Sequence, residues 1–356
     1  RTEFGGLRSR FSIHANNLES KEVSITLTGG MDSRVILAVL LNLGIKPNCF
    51  VFGNPESRDV IISKSIANSL GLSFHNACST IPDKEWYYNW AVRAIKIGNG
   101  SIHLHRAHRT AAISEHAHLY HPKVLFTGHM GGEGLRGLYY NNYFSSDFFR
   151  MVNEYKIPIK ASADKILKSY FIREDKIDWQ ELLDLVKALP WMTSDCEKNR
   201  FFYLYDFIAK IHHAQDLNIY AKYIPEVIPV YLDAEYLRTL FASPFHFLNK
   251  TGSIRNRLQN PKVYCSLLDY LFPKLLEFPL ANGFTPLEYK KGLLYFIPLK
   301  VFRDLTRKKG RTPNFSYTEW YVRFVREHAQ KIDPSVWEIY NRDDYFTALN
   351  KFEHRS

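Results

Sequence analysis

The sequence predicts an α/β protein, with a parallel sheet covered by helices over residues 1–150 and a mostly helical region over 151–356. Three observations carry that expectation. Strand-like and helix-like runs alternate through the first 150 residues, each of two glycine-rich turns follows a strand, and beyond 151 apolar residues recur at helical spacing.

Taken in order, Val23–Leu27 reads as a strand, and the nearly all-apolar run Val35–Leu43 as a buried helix stopped at Gly44. Cys49–Phe52 is the next strand. Asn54-Pro55 is suited to cap and begin a helix, in which Ile62, Ile66 and Leu70 recur every four residues before Gly71. Ser73–Ala77 reads as a third strand, Arg106–Leu119 as a helix, and Lys123–Thr127 as a strand running into Gly128-His129-Met130-Gly131-Gly132. Further on, Trp179, Leu182, Leu183 and Val186 follow helical periodicity. Strands that alternate with helices form parallel sheets, whose ligands collect beyond the carboxyl ends of the strands.

At 356 residues, 46% of them hydrophobic and 23% charged, the chain can build a packed core and is not of disordered composition. No run approaches 18 apolar residues, so no membrane span is expected. Arg1-Thr2-Glu3-Phe4 has neither a start Met nor a signal pattern and reads as the beginning of a fragment or processed chain. Cys49, Cys78, Cys196 and Cys265 lack CxxC spacing, which argues against a redox pair or zinc ribbon and points to the reducing cytoplasm. The net charge of +11 suits anionic partners such as nucleotides, nucleic acid or a membrane surface. The most basic run, Arg303–Arg311, reads as a solvated loop or helix end rather than a nucleic-acid site. Half of the 14 histidines lie between His103 and His129, at spacings that match no zinc pattern.

The chemistry concentrates in Leu27-Thr28-Gly29-Gly30-Met31-Asp32-Ser33-Arg34. A strand ending in two glycines before a helix lets backbone N–H groups close on a phosphate, with the helix N-terminus adding partial positive charge. Thr28 and Ser33 can add hydroxyl donors, and Asp32 can hold Mg2+ against the phosphates. The plainer alternative is a strand-to-helix turn capped by Asp32 or Ser33. The Gly-Lys-Ser/Thr of the common phosphate loop is absent, so GTPase-like or motor-like hydrolysis is not indicated.

This loop resembles the SGGxDS signature of the pyrophosphatase-loop ATP-binding superfamily. Within it, the chain is similar to the synthetase domain of asparagine synthetase and its relatives, including β-lactam synthetase and lasso-peptide cyclases. Thr127–Gly137 resembles the SGxGxDExFGG segment of that family, and Glu226–Asp233 resembles its EARVPFLD segment. Phe52–Gly71, with Ser57 and Asp59, fits its second strand and helix. The resemblance spans roughly residues 20 to 235.

The resemblance implies an adenine nucleotide alpha hydrolase-like domain that uses ATP and Mg2+ to adenylate a small-molecule, sugar or peptide carboxylate and pass it to ammonia or an amine. Leu27, Thr28, Gly29, Gly30, Asp32, Ser33 and Arg34 would hold pyrophosphate and its metal. Phe50, Val51 and Phe52 would line the adenine pocket, and Gly128 would pass close to the nucleotide. His129 stands where relatives carry Glu or Tyr and is a candidate base toward the incoming amine, or a structural hydrogen-bonding residue. Lys290 and Lys291 are the candidates for the family's late lysine. Asp233 reads as a helix cap. Two positions depart from the pattern: Gly132 replaces an aspartate, leaving Glu133 beside it, and Arg34 replaces Ser or Thr. A short segment without an N-terminal cysteine precedes the loop, so a glutaminase domain is not expected in this chain. The alternatives are a tRNA-modifying superfamily member, weakened by the lack of paired cysteines, and a homologue that binds nucleotide without turnover.

Overall fold

The computed structural model describes residues 19–79, 83–132, 171–188, 213–242, 261–306 and 318–353. Of these, 19–132 together with 213–306 form one compact unit, and 171–188 together with 318–353 form a second.

The first unit is built on five parallel strands: β1 (Val23–Thr26), β2 (Asn48–Phe52), β3 (Phe74–Ala77), β4 (Val124–Thr127) and β5 (Glu226–Pro229), in the order β3-β2-β1-β4-β5. Their composition fits the arrangement. β1 and β4 are almost entirely buried, as strands covered on both faces must be. Registers run Ile25 opposite Cys49 and Phe126, and Phe126 opposite Ile228. The order reverses direction between β1 and β4, so those two strands flank a crevice at their carboxyl ends.

Helix α1 (Met31–Asn42) follows β1 with its residues from Val35 to Leu40 all buried. It has no single apolar stripe because it is enclosed, with β1 on one side and α8 (Pro261–Leu271) on the other. Gly44, at φ +81, ends it in the left-handed backbone that glycine adopts most readily. Helix α2 (Arg58–Ser69) begins later than Asn54-Pro55 suggests. Asn54 Oδ1 instead accepts from Glu56 N in a turn, and Ser57 Oγ caps α2 by accepting from Val60 N.

Helix α3 (Lys84–Ile97) has no counterpart among the sequence expectations, although Asp83 caps it by accepting from Trp86 N at 2.7 Å. It packs against α4 (Ala107–Tyr120), and α4 against α6 (Ala214–Ala221), enclosing a core that includes Phe50, Ile113, Leu125 and Ile219. Helix α7 (Ala234–Ala242) is capped by Asp233, whose Oδ1 accepts from Glu235 N and Tyr236 N at 3.0 and 2.9 Å, as its position before an apolar run predicts. Helices α9 (Pro286–Lys290) and α10 (Leu293–Thr306) complete the described part of this unit.

Residues after 150 therefore do not all stand apart from the sheet. β5 pairs with β4, and α6 to α10 belong to the unit begun by β1. Cys49, Cys78 and Cys265 are buried free thiols, each pushed up to about 12 by burial, which removes them as nucleophiles near neutral pH.

In the second unit, α5 (Trp179–Lys187) matches the helix read from Trp179, Leu182, Leu183 and Val186. Helices α11 (Thr318–Ala329), α12 (Val336–Ile339) and α13 (Arg342–Glu353) follow. An antiparallel bridge joins Ile172 to Tyr340, and Phe171 meets Tyr345 edge-on at 5.6 Å. None of the described helices is long and apolar enough to cross a membrane.

Candidate functional site

Both glycine-rich turns arrive at the β1/β4 crevice and touch. A Cβ on Gly128 would lie 3.3 Å from Ser33 N, and one on Gly131 would lie 2.8 Å from Asp32 Cβ and 2.7 Å from the Tyr231 ring. Only glycine permits approaches this close. Tyr231, on the turn after β5, donates from Oη to Asp32 O at 2.8 Å, and Tyr264 of α8 donates to Gly131 O at 2.9 Å. Two other parts of the chain, the turn after β5 and α8, thus hold the two glycine turns in register.

Within the first turn the side chains fold back on the backbone. Thr28 N donates to Ser33 Oγ at 3.1 Å, Gly30 N to Thr28 Oγ1 at 3.2 Å, and Gly29 N to Asp59 Oδ1 at 2.9 Å. A Cβ on Gly29 would sit 2.9 Å from that same carboxylate oxygen, so this glycine is required by Asp59. Gly30 is the N-cap of α1 and has no side chain with which to cap the first-turn amides. Thr28, Gly30, Asp32 and Ser33 therefore surround a helix N-terminus, where an anion is stabilised.

Other expected members of the loop serve differently. Leu27 is wholly buried and contributes only its backbone, donating to Phe50 O and accepting from Ser63 Oγ. Arg34 is also wholly buried, and its guanidinium ends on carbonyl oxygens: Phe278 at 2.7 Å, Pro279 at 2.8 Å, Leu275 at 3.3 Å and Gly29 at 3.4 Å. Burial lowers its pKa to about 10, which leaves it cationic at neutral pH. It is a strut tying the segment 275–279 to the loop, and the expected contact with pyrophosphate does not fit a side chain so enclosed.

The proposed adenine strand also divides. Phe50 is core, with its ring 4.6 Å from that of His116, and Val51 is 5% exposed. Phe52, at the carboxyl end of β2, is half-buried, with His108 edge-on at 5.5 Å and the Arg109 guanidinium 5.5 Å from its ring. Of the three rings and branches, Phe52 has the most surface left for a ligand.

His129 follows Gly128 and lies against the rings of His213 and Tyr220. Its Nε2 faces Asp216 Oδ2 at a long 3.5 Å. An ionised carboxylate only accepts, so this pairing puts the proton on Nε2 and leaves Nδ1 with its lone pair. Nδ1 is buried and meets no partner among the described residues. Burial lowers the pKa of His129 below its ordinary value against the upward pull of Asp216, so the ring is neutral near pH 7.

Asp216, on α6, was not visible as a site residue in the sequence. Its carboxylate pairs with the guanidiniums of Arg106 and Arg109 as well as facing His129. Burial pushes its pKa up, but His129 and the two arginines outweigh that and hold it well below the usual carboxylate range. Gln215 beside it accepts from His103 N and Arg106 Nε, each at 2.9 Å. The only sequence signal was an isolated Gln-Asp pair in an apolar helix.

The two candidate lysines point to other partners. Lys290 forms an ion pair with Asp269 at 2.5 Å, and Lys291 lies 4.6 Å over the Tyr295 ring. Glu133 falls outside the described residues, and no group of three metal-binding side chains occurs among those described. Mg2+ does not need one. It takes one or two carboxylates with phosphate oxygens and waters, and Asp32 in the first turn of α1 could supply one. Thr127 Oγ1, buried at the end of β4 with no partner among the described residues, adds an oxygen beside the crevice.

No protein-family model matches this chain, and no curated protein matches it at a significant level. Its geometry and its sequence motifs are therefore what bear on function.

Proposed function

We propose that the chain is an ATP-dependent, AMP-forming carbon–nitrogen ligase of the asparagine synthetase type, built on an adenine nucleotide alpha hydrolase-like domain. The observation that carries this reading is the meeting of two glycine turns at the β1/β4 reversal, with Asp32 between them and His129 at their edge. In this reading the phosphates of a nucleotide lie at the α1 N-terminus and its base against Phe52.

In the reaction proposed, a carboxylate oxygen attacks the α-phosphorus of ATP, the bond to the β-phosphate bridge breaks, and pyrophosphate leaves. Thr28, Ser33 and the first-turn amides of α1 bind the leaving group. Mg2+ held by Asp32 would neutralise phosphate charge. Ammonia or an amine then attacks the acyl carbon of the acyl-adenylate, its proton passes to His129 Nδ1, and AMP leaves as the amide bond forms. Asp216 keeps the imidazole in the tautomer that can accept that proton.

A second reading, nucleotide binding without turnover, is favoured by Gly132, where the resembling family carries an aspartate. ATP–pyrophosphate exchange against a panel of carboxylates, paired with calorimetry of ATP and Mg2+, separates the two. Carboxylate-dependent exchange supports the ligase. ATP binding without exchange supports the second reading, and identical ATP affinity in wild type and Asp32→Ala with Mg2+ present would overturn both.

A further inference from the structure

Arg34 is a buried cation whose hydrogen bonds end only on neutral groups. Its side chain is wholly enclosed, and its acceptors are the backbone carbonyls of Leu275, Phe278, Pro279 and Gly29. Among the described residues no Asp or Glu pairs with it. Carbonyls satisfy N–H donors but carry no net charge, so they offset only part of the cost of burying a guanidinium. Its position adds to that cost. Arg34 is the fourth residue of α1, at the helix end whose dipole favours anions and opposes cations. Neutral donors would tether the segment 275–279 without opposing the dipole, whereas an anion at the loop would balance the charge that is present.

The phosphate loop lies directly in front of this charge. Arg34 Nη2 donates to Gly29 O at 3.4 Å. In a planar trans peptide the following N–H points the opposite way, so the Gly30 amide is turned from Arg34 toward Thr28 Oγ1, 3.2 Å away on the exposed side of the loop. The guanidinium thus backs the peptide whose N–H faces the phosphate position. A charge in an enclosed setting acts over several ångströms with little screening. Among the described residues of the two glycine turns, Asp32 is the only carboxylate, so little metal-held countercharge is available. Resting on the nucleotide site proposed above, we propose that Arg34 is its standing countercharge: a positioning residue that does not touch the ligand and yet allows pyrophosphate to bind at the loop without Mg2+.

The test is calorimetry of inorganic pyrophosphate with the full chain, in EDTA and in Mg2+. Wild type should bind in both, more tightly with Mg2+. Arg34→Met keeps the length and loses the charge, and should weaken binding at least about tenfold in EDTA but less in Mg2+, whose charge substitutes for the one removed. Arg34→Lys keeps the charge and loses the planar fork, and should stay within about threefold of wild type. A purely structural strut gives another pattern, in which both variants weaken alike and to the same extent in EDTA and in Mg2+. That pattern overturns the proposal, as does unchanged binding by folded Arg34→Met. Wild-type binding that requires Mg2+ also overturns it, and that measurement needs no variant to fold. Each of these outcomes leaves the nucleotide site standing. Absence of both pyrophosphate and ATP binding by wild type in either condition removes the site itself, and this proposal with it.

Discussion

Two histidine clusters sit on the same sheet and have opposite characters. At the β3 side, His75 Nδ1 meets His116 Nδ1 at 3.2 Å, His116 Nε2 meets Ser24 Oγ at 2.8 Å, and His75 Nε2 meets Glu115 at 2.9 Å. The His116 ring stacks on those of His75 and Tyr120, and Phe50 packs on His116. Both nitrogens of His116 are thus partnered, and burial with His75 beside it lowers its pKa to about 3. At the crevice, His129 has one nitrogen facing a carboxylate and the other without a partner among the described residues. A histidine that has spent all its hydrogen bonds inside the fold is core. One that keeps a lone pair beside a glycine turn is the better candidate for a base, and residue type alone does not tell them apart.

The comparison breaks most readily at Asp216. Asp216→Ala leaves two guanidiniums without their carboxylate and should lower stability by about 3–5 kcal/mol in denaturant titration, the range for breaking a buried ion pair from one side. A loss under ~1 kcal/mol would mean that the cluster is solvated and does not orient His129.

His129→Gln should lower the rate of amide formation by about 10²- to 10⁴-fold, the usual contribution of a general base, while ATP–pyrophosphate exchange changes far less. Equal losses in both half-reactions would assign His129 to nucleotide binding instead. In the other cluster His116→Gln should leave the proposed amide formation by the folded protein unchanged.

The second cluster is also open to a test of pH dependence. The folded pKa of His116, about 3, lies below the unfolded value near 6.5, so the unfolded state binds the extra proton. Its contribution to stability is complete above pH ~6.5 and is lost as pH falls toward 3, by up to ~1.4 kcal/mol per pH unit. Glu115, Cys78, His75 and Tyr120 are the titratable groups around it. Chemical denaturation between pH 7 and 4 should show a shallower slope in His116→Gln, and a slope identical to wild type would place the titration elsewhere.

Much of the fold was legible because parallel strands and the helix they enclose carry dense local patterns. The Leu27–Arg34 turn and Gly128–Gly132 could be read as adjoining strands because each glycine pair interrupts an apolar run. The start of α2 was misplaced because Asn54-Pro55 makes a convincing helix beginning in isolation, whereas the chain turns once more and caps at Ser57. α3 went unread although Asp83 precedes it, since its aromatic-rich run, Trp86-Tyr87-Tyr88-Asn89-Trp90, has ambiguous propensity.

The sequence by itself determined the alternation of strands and helices in the first 150 residues and the two glycine turns, because each is a matter of neighbours within a few residues. Tertiary structure decided that β5 joins the sheet, that Arg34 ends among the carbonyls of 275–279, and that Asp216 gathers Arg106, Arg109 and His129. The partners in those contacts lie far apart in the chain. A buried charge must find compensating groups wherever packing brings them, and no local period records which ones they will be.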